Sequence, residues 1–229
     1  MAYPTVSAPY GLKPINLIGG QVFAGATRQL VIANTSGTGY GTNIFYGDVV
    51  KLVSGGTIEK DTGETTATPV GVFLGCQYIS AVTGQLTFSQ YYPASLAVKS
   101  GSIISAFVAD DPDQLFKVAL VAGTTEDGNG LTVAFLGRTV IGSNLELVQN
   151  AGSTVTGDSK VGAYSSAGGD TTISLPLRCI DVVPDTANSS GNFCEVIVKW
   201  NAPYFTLAEG TPNTITWAGG HQYLNPYGV

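Results

Sequence analysis

Short runs of aliphatic, β-branched and aromatic residues recur along most of the chain, and most runs are four to eight residues long. Gly, Asn, Asp, Ser and Pro, which favour turns, stand between them. Apolar runs of this length, bounded by turn residues, are typical of β-strands. The predicted strands are 29–33, 48–53, 70–76, 85–92, 103–108, 115–121, 131–141, 182–183 and 195–200.

This pattern predicts an all-β protein. The spacing of the runs, roughly 10–20 residues, fits an antiparallel β-sandwich or β-barrel. No long stretch keeps a helical period, so we expect helix in less than about 12% of residues, against a usual 30–35%. Residues 143–150 fit either two helical turns or a strand. No repeat of fixed period is present, which argues against a propeller or a solenoid.

Residues 1–20 predict an extended N-terminal arm. Three prolines fix their own φ angles and hold the preceding residues extended, which excludes a helix. The segment is also rich in apolar and aromatic side chains, so we expect it to dock on another polypeptide; the alternative is a floppy terminus. The predicted contact residues of the arm are Tyr3, Pro4, Pro9, Tyr10, Pro14, Leu17 and Ile18.

Residues 203–229 differ in composition from the predicted body, 21–202. This C-terminal tail is aromatic, and Glu209 is its one charged residue. Leaving such a segment in water costs free energy, so we expect it to pack on the body or on a neighbouring subunit. The predicted contact residues of the tail are Trp217, Tyr223 and Tyr227.

Charge is scarce in this 229-residue chain. Charged residues make up 11% of it, where about 25% is usual, and 10 Lys and Arg against 16 Asp and Glu give a net charge of −6. This balance argues against a nucleic-acid partner, which normally needs a basic surface. A surface so poor in charge suits a subunit of an assembly, although a secreted β-sandwich has a similar composition.

Membrane and secretion signals are not evident in the sequence. No apolar run approaches the roughly 18–20 residues of a membrane span, so no membrane partner is expected. The start, MAYPTVSAPY, lacks the basic and apolar regions of a secretory signal.

Catalytic chemistry finds little support in the sequence. His221 is the one histidine, and it follows two glycines near the C-terminus, so we expect a surface or stacking residue rather than a catalytic base. Cys76, Cys179 and Cys194 are expected to be reduced, partly buried thiols. A Cys179–Cys194 disulfide and a zinc site that includes His221 are the alternatives. We therefore predict no enzyme and no cofactor.

Acidic residues cluster at 110–113, where Asp110, Asp111 and Asp113 flank a proline. Asp and Pro favour turns, so a turn is the expected structure, and a Ca²⁺ site is the alternative. The loop 126–130 contains Asp-Gly and Asn-Gly, which are hairpin signals. The sequence neither excludes nor supports a pair of facing carboxylates of the kind a glycosidase uses.

Five stretches of the chain carry a family resemblance. They are AYPTVSAPYGLKPINLIGGQVFAG at 2–25, NIFYGDVVKL at 43–52, VGVFLGC at 70–76, FSQYYP at 88–93 and DPDQLFKV at 111–118. These stretches are similar to those of the head decoration, or cement, proteins of tailed phages, especially marine phages. The resemblance runs over most of the chain, and its motifs are not catalytic.

The resemblance implies a β-barrel or β-tulip body that binds the outside of an icosahedral head. It implies the major capsid protein as partner and a homo-oligomer that bridges capsomers, either a trimer, which is the expected form, or a dimer. It further implies an extended terminus that acts as a clamp. It also implies assembly in the host cytoplasm, with which unpaired cysteines agree. The alternatives are another virion component, such as a tail, fibre or adaptor protein, and a carbohydrate-binding β-sandwich adhesin.

Overall fold

The protein is almost entirely β-structure. The computed structural model describes residues 8–33, 39–121, 137–164, 170–186, 194–207 and 215–226. Strands make up 42% and helix 5%, which confirms the all-β class and the low helix content. Helix occurs there only as three short 3-10 segments: Gly137–Val140, Pro184–Thr186 and Gln222–Leu224. No helix within these ranges has the length and apolar character needed to span a membrane.

Two antiparallel sheets of six strands form the body, as in a β-sandwich. The first sheet has the order β1-β8-β12-β11-β9-β10. Its strands are β1 (Lys13–Leu17), β8 (Gln114–Ala119), β9 (Asn144–Val148), β10 (Gly162–Tyr164), β11 (Leu177–Val182) and β12 (Glu195–Trp200).

The second sheet has the order β2-β7-β5-β3-β4, and β6 pairs with the C-terminal half of the long strand β5. Two further strands, β13 (Tyr204–Leu207) and β14 (Ile215–Ala218), form a separate antiparallel pair. The strands of the second sheet are β2 (Arg28–Val31), β3 (Val49–Val53), β4 (Thr57–Lys60), β5 (Gly71–Ile79), β6 (Leu86–Ser89) and β7 (Ser105–Ala109).

The edge strands of the second sheet approach each other, and in the first sheet the edge strand β10 approaches the segment after β8. In the second sheet the Ala33 N–H donates to the Ile58 oxygen at 3.0 Å, next to a parallel bridge between Ile32 and Ile58. In the first, the Val121 N–H donates to the Ala163 oxygen at 2.8 Å. Each sheet also contains a register shift, of the kind that bends a strand, in β5–β7 and in β11–β12.

The apolar core is divided into two clusters: the first combines the first sheet with Val49, Val72 and Ala109 of the second sheet, and the other belongs to the second sheet. Phe116 and Trp200 lie in the first, with ring centroids 5.2 Å apart. Phe73 and Tyr92 lie in the second. The first cluster also takes in Leu12 from the segment before β1, so this segment helps to close the core.

Part of the predicted N-terminal arm belongs to the first sheet. β1 pairs antiparallel with β8, and Leu12 just before it is fully buried. Gly11 has φ +80°, and an added Cβ there would lie 2.6 Å from the Gly47 oxygen, so the chain passes very close to the loop before β3. The clamp predicted for the arm on another polypeptide stays a prediction.

Two local expectations are resolved by the fold. Residues 143–150, which fitted a helix or a strand, contain the strand β9. The predicted strand 131–141 is wrong at its C-terminal end, where Gly137–Val140 form a 3-10 turn, and its residues 131–136 lie outside the described residues. A turn forms there because Ile141 and Ser143 donate backward to the oxygens of Arg138 and Val140.

Candidate functional site

The most deeply buried charge joins three segments of the chain. Asp48 is fully buried, and its Oδ2 lies 3.0 Å from Lys60 Nζ and accepts from the Phe45 N–H at 2.9 Å. Its Oδ1 accepts from Ser159 Oγ at 2.6 Å. The Ser159 hydroxyl in turn accepts from the Val161 N–H, so it both donates and accepts within the buried network. The arrangement fits a structural network better than a nucleophile.

The arm is fastened by a second charged cluster. The Tyr10 hydroxyl donates to Glu195, whose carboxylate also lies 3.1 Å from Lys117 Nζ. Burial raises the pKa of Tyr10 well above its ordinary range, and the hydrogen bond and negative charge of Glu195 raise it further. Lys13 Nζ lies 4.0 Å from the centroid of the Tyr46 ring and 3.5 Å from Asp158. Of the arm residues predicted from the sequence, Tyr10 makes a partly buried contact within its own chain.

The other arm residues are spread over the edge of the first sheet. Pro14 and Leu17 lie in β1, and Ile18 follows the strand with about half of its surface exposed. Pro9 comes directly before Tyr10. Tyr3 and Pro4 lie outside the described residues.

His221 is buried, so the expectation of a surface position was wrong, and its aromatic contact is edge-on rather than stacked. Its ring lies edge-on to Tyr223 at 5.3 Å, and its Nδ1 accepts from the Tyr223 N–H at 3.3 Å. Burial lowers the pKa of His221 to about 4, although Asp110 and Asp111 oppose this shift. Among the described residues, no hydroxyl or thiol bonds to either ring nitrogen.

The residues that follow His221 bind the C-terminal tail to the body. The Gln222 amide pairs with the backbone of Leu52, accepting from its N–H at 2.6 Å and donating to its oxygen at 3.0 Å. The Tyr223 hydroxyl donates to Asp110 at 2.8 Å, and Arg28 lies 2.8 Å from the same carboxylate oxygen. Tyr223 is therefore a partly exposed contact residue of the tail with its own body.

The remaining predicted contact residues of the tail are less well defined. Trp217 lies in β14, but its side chain falls outside the described part of the chain. Tyr227 lies outside the described residues altogether.

All three cysteines are buried free thiols, so the alternative of a Cys179–Cys194 disulfide is not present. Each thiol donates to a backbone oxygen: Cys76 to Tyr91, Cys179 to Asp181, and Cys194 to Glu195. Burial raises the pKa of Cys76 and of Cys179 to about 12. These thiols stay protonated at neutral pH, which makes them poor nucleophiles.

The acidic segment 110–113 forms a turn whose carboxylates have separate partners. Asp111 accepts from the Asp113 N–H at 2.8 Å, and Asp113 lies 3.6 Å from Lys199 Nζ. Asp110 bonds to Tyr223 and Arg28 as described above. No group of three or more His, Cys, Asp or Glu in the described ranges is placed to hold a metal ion. The loop 126–130 lies outside those ranges.

The clearest candidate surface is the outward face of β6, β5, β7 and β2. One row of directly paired residues crosses all four strands, from Phe88 through Gln77 and Ser105 to Val31. Phe88 is 66% exposed and stacks on Phe107 with centroids 6.4 Å apart. We call this surface the β6 face and define it by Gln29, Gln77, Leu86, Phe88, Ile103, Ser105 and Phe107.

The β6 face is uncharged, since none of its seven residues is ionisable. Leu86 and Ile103, 58% and 63% exposed, flank a groove of about 460 Å³ that Gln77 and Ser105 help to line. The Gln77 amide donates to Gln29 at 3.3 Å, so the polar groups of the groove are partly paired. Large apolar side chains that remain exposed together mark an interaction surface.

The sequence prediction did not include the β6 face. Leu86 and Phe88 alternate with Thr87 and Ser89, and such alternation normally places the apolar residues inside. Here the apolar pair is exposed, and the hydroxyl residues are half-buried. The sequence does contain the alternation, but it does not indicate which of the two faces turns outward.

Comparison with known proteins identifies no relative: no family model, no curated protein and no solved structure matches the chain.

Proposed function

We propose that this chain is a non-enzymatic structural protein of a tailed-phage particle, which binds the outside of the head and bridges capsomers. The observation that carries the proposal is the β6 face, a sheet face of exposed apolar side chains without charge. The proposed occupant of the face is an uncharged surface of the major capsid protein. The resemblance of the five sequence stretches to head decoration proteins supports this choice.

The size of the β6 face argues for attachment by several copies at once. Full burial stabilises a Leu, Ile or Phe side chain by about 1.5–3 kcal/mol each, and three such residues protrude from the face. Association costs about 4–15 kcal/mol in lost translational and rotational freedom. One face therefore gives a weak contact, whereas linked copies in an oligomer add their contacts with little further cost.

The polar groups that could serve catalysis have structural partners instead. Ser159 bonds to Asp48, and the thiols of the three cysteines bond to backbone oxygens. His221 caps the last 3-10 segment. These assignments favour a binding role over an enzymatic one.

A carbohydrate-binding adhesin is the second candidate function. The exposed ring of Phe88 lies in the same face as the amides of Gln29 and Gln77. An aromatic ring beside amide donors and acceptors is a suitable surface for a neutral sugar. This candidate differs from the first in its ligand, so one variant can test both.

The test is a double variant, Leu86→Ser with Phe88→Ser. We expect at least a tenfold loss of attachment, because each substitution removes about 1.5–3 kcal/mol of apolar burial. Attachment is measured by co-sedimentation with phage heads assembled without the protein. Val155→Ser is the matched control, since Val155 is 94% exposed and lies outside the β6 face.

Equal attachment of the double variant and the control would contradict the proposal. Binding of the wild type to a neutral oligosaccharide array, lost in Phe88→Ser, together with normal attachment to heads would favour the adhesin.

A further inference from the structure

A second cleft, lined by positively charged but no negatively charged side chains, lies on the outward side of the first sheet. It has a volume of about 400 Å³, and two cations, two amides and apolar side chains line it. Among its lining residues there is no carboxylate. The lining residues are Asn144, Ile173, Arg178, Lys199, Trp200, Asn201, Ala202, Tyr204 and Leu224.

The two cations of the cleft are direct neighbours. Arg178 in β11 pairs with Lys199 in β12, so their side chains leave the sheet side by side. Like charges in such a cross-strand pair repel each other. Lys199 has a partial partner in the exposed carboxylate of Asp113 at 3.6 Å. Arg178 contacts no carboxylate among the described residues, so an anion in the cleft would relieve the repulsion.

Buried amides hold the Arg178 side chain in position. Its Nε donates to Asn144 Oδ1 at 3.2 Å, and Asn144 is only 4% exposed. The same Oδ1 accepts from the Asn201 amide at 3.1 Å, while the Asn144 amide donates to the Thr172 oxygen at 2.9 Å. Each amide is therefore fixed by several bonds, and Arg178 is oriented through Nε before any ligand arrives.

This orientation leaves the terminal nitrogens of Arg178 available. The Nε bond is its one hydrogen bond within the described residues. Two terminal guanidinium nitrogens match the two oxygens of a planar carboxylate. The nearest acid along the chain, Asp181, accepts from the Val182 N–H, and Asp170 uses its carboxylate on Thr172.

The other residues that line the cleft indicate the chemical character of the group that carries the carboxylate. Ile173 and Leu224 are 61% and 47% exposed, and Tyr204 is partly exposed, whereas Trp200 borders the cleft from the core and is only 1% exposed. Exposed apolar walls beside a single oriented guanidinium favour an acid with an apolar or aromatic body over a free inorganic anion.

We propose that this cleft binds a carboxylate carried on an apolar or aromatic group, with Arg178 as its bidentate partner. The proposal is independent of the β6 face, which lies on the other sheet. The carboxylate has two possible sources, a polypeptide chain end or a small organic acid, and both have the same chemistry at Arg178.

The test uses the full chain and two matched pairs of probes in calorimetric titrations. N-acetyl-tyrosine and N-acetyl-tyrosinamide differ in the carboxylate of a chain end, and benzoate and benzamide differ in that of a small acid. We expect the acids to bind and to raise the melting temperature, and the amides to do neither. The tighter acid identifies the source. Rising NaCl should weaken binding.

Variants of Arg178 separate the site from general acid binding. Arg178→Gln should weaken binding of the acids by about tenfold or more. Arg178→Lys should keep only part of the wild-type affinity, because lysine lacks the paired donors. Arg138→Gln, at an exposed arginine outside the cleft, should bind like the wild type.

Circular dichroism checks that the variants are folded, which is expected because the Arg178 side chain is exposed. The proposal is overturned if neither acid binds, if the amides bind as tightly as the acids, or if Arg178→Gln binds like the wild type.

Discussion

At the scale of single residues, the burial of His221 makes stability depend on pH. Burial lowers the pKa of this imidazole from 6.5 to about 4, so the folded protein keeps it neutral down to that pH. The unfolded chain takes up the proton near pH 6.5. The contribution of His221 to stability is therefore complete above pH 6.5 and is lost progressively as the pH drops toward 4. We expect His221 alone to remove about 3 kcal/mol of unfolding free energy across this window.

Carboxylates also titrate in this window, so the measurement needs a variant with the same cap and no imidazole. His221 accepts from the Tyr223 N–H as an N-cap, and Asn can do the same without a charge. In urea unfolding from about pH 7 down to about pH 4, the stability of the wild type relative to His221→Asn should decrease. A constant difference between the two proteins would contradict the assigned role of His221.

Long-range pairs of polar side chains could not be predicted from the sequence. Ser159 bonds to Asp48 across 111 positions, and Gln222 bonds to Leu52 across 170. Periodicity reports only spacings of a few residues, so it contains no information about such partners. The same limit explains why His221 was expected at the surface: its burial depends on segments that are distant in the chain.

At the scale of elements, strands with strong apolar runs were predicted well, whereas β1, β4 and β10 were not. β12 has the predicted bounds, because Glu195–Trp200 is a compact β-branched run. β1 was hidden by Pro14, since proline argues against a strand. An edge strand tolerates proline, because one side of its backbone needs no partner. β4 and β10 are short, and turn residues obscure their pattern.

The placement of β1 predicts how the arm contributes to stability. Leu12 is fully buried, so Leu12→Ala should cost about 2–5 kcal/mol of unfolding free energy. Deleting residues 2–14 removes Leu12, the Tyr10–Glu195 bond and part of β1, and it should cost more than the single substitution. Deleting residues 2–7 removes none of these contacts and should leave stability within about 0.5 kcal/mol.

Chemical denaturation of the three variants measures these differences. If the long deletion were as stable as the wild type, β1 would contribute nothing to the first sheet. The short deletion also tests the proposed clamp, since it should weaken attachment to heads while the body stays intact.

At the scale of the whole molecule, the scarcity of charge favours an oligomer. The chain exposes 11163 Å² of surface. Charged residues are 11% of its residues, less than half of the usual fraction of about 25%. Apolar side chains outside the β6 face and the cleft, such as Val22 and Val82, are each more than half exposed. Contact between copies would remove part of this surface from water.

We therefore expect the isolated protein to form an oligomer. The trimer implied by the resemblance to decoration proteins would have a mass of about 71 kDa, three times the chain mass of 23.6 kDa. Sedimentation at micromolar concentration measures this mass. Because the proposed contacts are apolar, screening by about 0.5 M NaCl should not dissociate the trimer, and ammonium sulfate should strengthen it. A mass of about 24 kDa would exclude a stable oligomer. Dissociation by NaCl would show instead that charged groups, which are rare on this chain, hold the copies together.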